Sequence, residues 1–328
     1  MMYRKTALVI LLTALTIAMF SNRAIAQEAG DYPSKPVRVI VPQAPGGAVD
    51  VITRMVAEEM RRAWNQPVIV ENRAGAGGNL AAGFVAKAPT DGYTLLVVAL
   101  TVYLNSIFVA DLPYNPMRDF APIAQFINVP FVLLANPRVP YNTVAELVTY
   151  AKRNPGKINV GSFGTAQSGH LAAELFKLTA GVDIAHIPYK GGAQAQPALM
   201  TGEIDIMFDP SGLSLVRSGK LKAIAVTTTR RSGLLPEVPT IAESGYPGFN
   251  VSTWTGLAAP IGTSRTIIEK ISRETTRALA EPTVRERMIK TYGQEPVGGT
   301  PEQFDANIRD SMKVWADVVK RTGVKPEN

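Results

Sequence analysis

A short, largely apolar run, Val37-Arg38-Val39-Ile40-Val41, stops at Pro45-Gly46-Gly47, and helical periodicity follows from about Ala48 to Arg62. This segment constrains the fold most. A buried strand turning tightly into a helix leaves the first backbone N–H groups of that helix without partners, which makes a seat for an anion worth roughly 0.3–1 kcal/mol, up to ~2 when partly buried. The device recurs downstream, where Ile158-Asn159-Val160-Gly161 leads through Ser162-Phe163-Gly164-Thr165-Ala166-Gln167-Ser168-Gly169 into a helix beginning near His170. Two such mouths suggest a cleft that grips a small anionic solute from both sides.

The N-terminus carries Arg4 and Lys5, an apolar run from Ala7 to Phe20, and Ala24-Ile25-Ala26 before Gln27. That is the layout of a secretory signal peptide, with cleavage expected after Ala26. The run of about 14 residues is short of the ~20 that span a bilayer. Loss of residues 1–26 removes the three cations Arg4, Lys5 and Arg23 and no acid, so the formal charge of +7 falls to +4. The remaining cations are dispersed, which argues against nucleic acid as a partner. The chain has no cysteine. Disulfides, thiolate metal sites, cysteine nucleophiles and an acylated-cysteine anchor are therefore excluded, and an exported chain of this kind is read as freely diffusing in the periplasm.

Strand and helix patterns alternate almost throughout, as in an α/β fold with largely parallel sheets. Strands are expected at 37–41, 67–71, 94–99, 131–135, 158–161, 184–187, 204–208 and 222–227. Helices are expected at 48–63, 79–87, 144–153, 169–179, 193–200, 264–279, 282–291 and 301–321. Thr143-Val144-Ala145-Glu146 and Thr300-Pro301-Glu302-Gln303 read as capping boxes. The mature chain is long enough for two lobes. We place the crossings near 131–135 and 251–258, giving a discontinuous first lobe, 31–134 plus 254–328, with the second, 135–253, inserted.

In parallel α/β sheets ligands collect at the carboxyl ends of the strands. In the first lobe this rule selects Gln43 to Gly47, the loop from Arg73 to Asn79, and Thr101. In the second it selects Ser162 to Ser168, Pro188-Tyr189-Lys190-Gly191-Gly192, and Asp209-Pro210-Ser211. Each has a plainer alternative. Gly46 and Gly47 suit any tight turn, and Asp50 complements a helix dipole as readily as it meets a ligand. Ser162, Thr165, Gln167 and Ser168 could hold a carboxylate through neutral donors, or one of them could simply cap the helix. Asp209 could accept from a ligand or cap a turn. Gly75-Ala76-Gly77 lacks the third glycine of a dinucleotide site, since Leu80 stands there. The chain has two histidines; His170 shares a helical face with Glu174 and Lys177, spacing that marks a polar side. No metal-binding or catalytic set can be assembled, so no cofactor, metal or catalytic residue is expected. Trp64, Trp254 and Trp315 read as packing residues, with Trp254 at the expected hinge.

Several stretches together carry a family resemblance. They are Tyr32-Pro33-Ser34-Lys35-Pro36, Pro45-Gly46-Gly47 with Asp50, Glu71 through Gly78, Pro89-Thr90-Asp91-Gly92-Tyr93, and Gly161-Ser162 through His170-Leu171-Ala172. Pro188-Tyr189-Lys190-Gly191, Leu235 through Thr240 and Trp254-Thr255-Gly256-Leu257 complete the order. The chain resembles the Bug-type periplasmic solute receptors of tripartite tricarboxylate transporters over essentially all of its mature length.

The resemblance implies a type II periplasmic-binding-protein fold, two lobes with a ligand cleft between them, closing like a Venus flytrap. It implies a small organic acid as ligand: a di- or tricarboxylate, an acidic amino acid or an aromatic acid. The membrane components of the transporter are then the partners, and the receptor itself is expected to be a monomer. It also implies that Gly46, Gly47 and the 162–168 loop, including Phe163, hold a ligand carboxylate; the strand-end rule adds Tyr189, Asp209 and Thr101 as candidates, and the first helical turn adds Asp50. Members often carry an aromatic and a small residue before the first turn, whereas this chain has Gln43-Ala44, so Gln43 should face the cleft. Two other readings stay open: a ligand-sensing partner of a membrane histidine kinase, and an exported hydrolase.

Overall fold

The computed structural model describes residues 32–325; the expected signal peptide lies outside them. In chain order the strands are β1 (Val37–Val41), β2 (Val68–Asn72), β3 (Thr94–Ala99), β4 (Phe120–Pro130), β5 (Val132–Ala135), β6 (Asn159–Ser162), β7 (Ala185–Pro188), β8 (Ile206–Asp209), β9 (Lys222–Val226), β10 (Ser252–Pro260) and β11 (Pro296–Gly298). The helices are α1 (Ala48–Trp64), α2 (Asn79–Val85), α3 (Leu100–Phe108), α4 (Val144–Arg153), α5 (Ser168–Ala180), α6 (Gly192–Thr201), α7 (Leu213–Arg217), α8 (Arg265–Ala280), α9 (Pro282–Tyr292) and α10 (Pro301–Thr322).

Two sheets result, in the orders β11-β4-β10-β3-β1-β2 and β7-β6-β8-β5-β9. Each contains three parallel strands built by strand–helix–strand crossovers: β2-β1-β3 in one, β7-β6-β8 in the other. Each also takes in one antiparallel strand that arrives from the opposite sheet. β10 pairs antiparallel with β3 and β4, and β5 pairs antiparallel with β8 and β9. This mixed α/β, two-lobed arrangement is that of a type II periplasmic-binding-protein fold. It sets the carboxyl ends of β1, β2 and β3 in one lobe, and of β6, β7 and β8 in the other, as the loops from which a site can be built.

The sequence reading took 131–135 as one strand. In the structure an extended run from Phe120 to Ala135 is shared between the sheets, with Phe131 as the residue of exchange. Thr227 clasps both crossings at that point. Its Oγ1 accepts from Phe131 N–H at 2.9 Å and donates to Val251 O at 2.6 Å, and its N–H donates to Phe131 O at 3.1 Å. Among β4, β10, β11, α3 and α7, none was read from the sequence as a separate element. β4 carries Pro122 and Pro130, which argue against an interior strand. It accommodates them because β11 covers its second edge only at Gln125 and Ile127. The Thr101 segment, expected as a loop, is the first turn of α3.

The core runs from one lobe into the other. Trp254 in β10 is fully buried against Tyr103 and Phe304, and Phe131 meets Trp315 edge-on with ring centroids 6.5 Å apart. α10 buries Phe304, Ile308, Trp315 and Val318, and packs on both β4 and α5. A buried tryptophan here is worth about 3–5 kcal/mol against alanine. Among the described residues no helix is long and apolar enough to cross a membrane.

Candidate functional site

The first mouth follows β1. Gln43 through Gly47 are exposed, and α1 starts at Gly47 with no side chain capping it. Gly46 is left-handed (φ +88°), which excludes most side chains. Gly47 is not: at φ −72°, ψ 163° any residue fits, and a Cβ there would meet only Ala44 O at 4.0 Å. Neither backbone strain nor packing accounts for glycine at 47, which leaves free approach to the helix start. Asp50 turns inward. Its carboxylate accepts from Gly46 N–H at 2.9 Å, Asn72 Nδ2 at 2.9 Å and Arg54 Nε at 3.1 Å, and it is 2% exposed. Burial alone would raise the Asp50 pKa, but the bonds from Arg54, Gly46 and Asn72 and the Arg54 charge outweigh it and hold the group below its usual range. Asn72 also donates to Gln43 O at 3.0 Å, which fixes the base of the turn. Asp50 is thus the organiser of the turn, and its oxygens are already occupied.

The second mouth follows β6 and repeats this geometry. α5 starts at Gln167 with φ −72°, ψ 159° and again no side-chain cap. The residue before it, Ala166, is left-handed at φ +62°. The first helical bond, Leu171 N–H to Gln167 O, is 3.0 Å, as is Val51 N–H to Gly47 O in α1. Gly169 is needed for close approach: a Cβ there would lie 2.8 Å from Phe208 O on β8. Ser162 is 1% exposed; its Oγ donates to Gly164 O at 3.0 Å, accepts from Gly164 N–H at 3.2 Å and meets His186 Nε2 at 2.7 Å. Phe163 lies under the start of α6, where a Cβ on Gly192 would come within 3.3 Å of its ring. Thr165 is half-buried and engaged; Gln167 is exposed and Ser168 half-buried at the helix start.

Three other selected side chains are engaged by protein partners. Asp209 is fully buried and accepts from Ser211 N–H (2.7 Å), Ser211 Oγ (2.6 Å) and Gln196 Nε2 (2.8 Å), so it caps the turn after β8. The Tyr189 hydroxyl donates to Glu203 at 2.7 Å; burial, then this bond, pushes its pKa up to about 12. Arg73 stacks 3.7 Å over Phe84 and donates from Nε to Glu71 at 2.8 Å. The cations beside the first mouth, Arg54 and Arg73, are therefore paired, and backbone N–H groups are what the mouth offers an anion.

Sequence reasoning placed His170 on a polar helical side. It is 6% exposed instead, and its ring stacks on His186, centroids 3.6 Å apart and planes at 4°. Sequence reasoning also missed the N3 acceptors: Asp50 and His170 each take the N–H of the left-handed residue four positions earlier. The signal available was that spacing alone, Gly46 to Asp50 and Ala166 to His170. Among the described residues no group of three His, Cys, Asp or Glu is placed to hold a metal.

The helix starts after the parallel strands, those of α1, α2, α3, α5, α6 and α7, have no side-chain cap. The starts of α4, α8 and α10 lie elsewhere and are capped by Thr143, Ser264 and Thr300, whereas α9, also elsewhere, starts at Glu281 without a side-chain cap. A cap is worth about 1 kcal/mol; the six strand-end helices do without one.

Residues 52–324 match the profile of the family described as Tripartite tricarboxylate transporter family receptor. Protein BugT of Bordetella pertussis is 38% identical over 301 residues, covering 90% of this chain and 92% of that one. Among solved structures, R. palustris Rpa4515 with adipate has a TM-score of 0.78 at 32% identity, covering 90% of this chain and 100% of that chain. MatC (Rpa3494) from Rhodopseudomonas palustris with bound malate has a TM-score of 0.72 at 33% identity, covering 88% and 100%. The family is one of periplasmic solute-binding receptors, and this chain belongs to it, as a tripartite tricarboxylate transporter family receptor.

Proposed function

We propose that this receptor binds a small organic acid between its two lobes, holding a carboxylate from both sides through the helix starts at Gly47 and Gln167. One observation carries the reading: each lobe offers, after its first parallel strand, an uncapped helix start of the same backbone geometry. Rpa4515 and MatC are similar chains bound to dicarboxylates, adipate and malate, which makes dicarboxylates the first class to test. Gln43, Gly46, Gly47, Phe163, Thr165, Gln167 and Ser168 form the contact surface, and buried Ser162 braces the second loop beneath it. Thr101, in the first turn of α3, adds a hydroxyl beside it. Asp50, Tyr189 and Asp209 support it from behind.

The two moving bodies are 31–134 plus 254–328, and 135–253, with the crossings at Phe131 and Val251 as hinge. Closure removes water from the carboxylate and strengthens its bonds to the N–H groups. The closed receptor, exported and freed of residues 1–26, then delivers its ligand as a monomer to the transporter's membrane components. Pull-down with and without ligand separates this role from presentation to a sensor kinase.

The test is thermal unfolding of residues 27–328 against mono-, di- and tricarboxylates, acidic amino acids and aromatic acids. Ligand at 100 times Kd adds about 2.7 kcal/mol, a rise of roughly 5 °C for a protein of this size. Silence across the panel, with the protein shown to be free of ligand by native mass spectrometry, overturns the carboxylate reading.

A further inference from the structure

Both histidines of the chain sit behind the second mouth, and neither is accounted for by ligand contact. His170 occupies the third position of α5, and its Nδ1 accepts the Ala166 N–H at 3.0 Å. A ring nitrogen that accepts an N–H carries no proton, so the proton of neutral His170 is assigned to Nε2, which faces Glu174 Oε1 at 3.5 Å. Glu174 is held in turn by Lys177 at 2.8 Å. Ala166 is left-handed without being glycine, a conformation that costs about 1 kcal/mol or more and persists only when neighbours impose it. His186 approaches the other end of the same loop: its Nε2 lies 2.7 Å from Ser162 Oγ, which grips both backbone groups of Gly164. The parallel rings join the two ends.

We propose that His170 and His186 are positioning residues for the second mouth, and that the unprotonated acceptor at His170 Nδ1 is the feature the site requires. The first mouth supports this. There Asp50, also at the third helical position, accepts the N–H of the left-handed residue four positions earlier. Two chemically unlike side chains do the same thing at equivalent places. What they share is an acceptor, neither charge nor shape. The inference rests on the carboxylate reading for its ligand but not for its geometry.

Two substitutions separate positioning from packing. His170→Asn keeps an acceptor, Oδ1, near the Nδ1 position and loses ring volume. His170→Leu keeps apolar volume and loses the acceptor. Affinity is read by calorimetry with the acid that gives the largest thermal shift, and the Ala166 amide is followed by hydrogen exchange. The expected result is a Kd raised about tenfold or more, and faster Ala166 exchange, in His170→Leu, because a loosened site loses affinity steeply. Both should return to near wild type in His170→Asn. Full affinity in His170→Leu, or equal losses in both variants with Ala166 exchange unchanged, overturns the proposal. If position 170 does not tolerate change, His186→Gln against His186→Leu asks the same question of the Ser162 contact. Should wild type bind no carboxylate, the exchange comparison still decides the positioning role. Wild-type binding with no difference between Leu and Asn defeats this inference alone.

Discussion

The turn before α1 is locked by a carboxylate, and the turn before α5 by an imidazole. Asp50 draws in Gly46 N–H, Asn72 and Arg54, while His170 takes Ala166 N–H and leans on His186. Both helices start at almost the same dihedrals, and both locking groups reach a neighbour one turn on, Arg54 or Glu174. The surroundings differ. Gln43 to Gly47 stand exposed, whereas Ser162, Ala166 and His170 are buried under their loop. Asp50 is as buried as His170, but its charge is paired with Arg54, whose side chain reaches water. The neutral lock suits the enclosed loop, where an unpaired charge would cost several kcal/mol. What the two share, an inward acceptor and an outward row of N–H groups, is the requirement; the charge of the lock is adjustable.

The largest effect is expected from Gly47→Asp. The backbone admits the side chain without strain, but the new carboxylate would stand at the helix start proposed for the ligand's carboxylate. Calorimetry should show at least a hundredfold loss of affinity, about 2.7 kcal/mol, with the melting temperature within 2–3 °C of wild type. Unchanged affinity would remove the first mouth from the site.

Ser162→Ala comes next. It strips Gly164 of both hydroxyl bonds and leaves His186 without that partner, so denaturant unfolding should lose about 1–3 kcal/mol and affinity should fall about tenfold. A loss of stability with affinity intact would show that the second loop tolerates slack, and would break the equivalence of the two mouths.

Asp50→Asn probes the charged lock. Arg54 can turn to water, so the expected cost is roughly 1–2 kcal/mol. The pH dependence sharpens it. The Asp50 pKa is lowered in the fold, so its contribution is complete above the unfolded value of about 4 and is lost as pH falls through the lower folded value. Wild-type stability should lose this component only below about pH 4, and the wild-type advantage over Asp50→Asn should shrink there. An advantage that stays constant from pH 7 to 3 would mean that charge plays no part in the lock.

The smallest effect is expected from Gln43→Ala. Only the Gln43 carbonyl is used by the frame, through Asn72, so stability should hold within about 0.5 kcal/mol. The ranking of acids in the thermal panel should move instead.

Much of this was legible in the order of residues. Alternation of apolar runs with helical periodicity marks an α/β fold, because buried parallel strands and their crossover helices each leave their own period in the chain. The two strand-to-helix turns were legible too, since a strand and a Gly-containing turn are local; the absence of a side-chain cap at either helix was not, because Ser162, Thr165, Gln167 or Ser168 could each have capped the second. The capping boxes at Thr143 and Thr300 were visible because they too are local; in the structure both threonines accept from the third helical residue.

Other features depended on contacts between segments far apart in the chain. β4 and β10 become central strands because each lies against the other, a pairing of residues more than a hundred positions apart that outweighs two prolines. Thr227 looks like any loop threonine until Phe131 and Val251 are brought to it. His170 reads as part of a polar stripe, and only the return of β7 beside β6 sets His186 against it. Local sequence therefore determined most of the parallel strands, their crossover helices and the turns between them. Tertiary structure decided which side chains turn inward to hold those turns, because a hydrogen-bond acceptor acquires a role only when the fold delivers its donor.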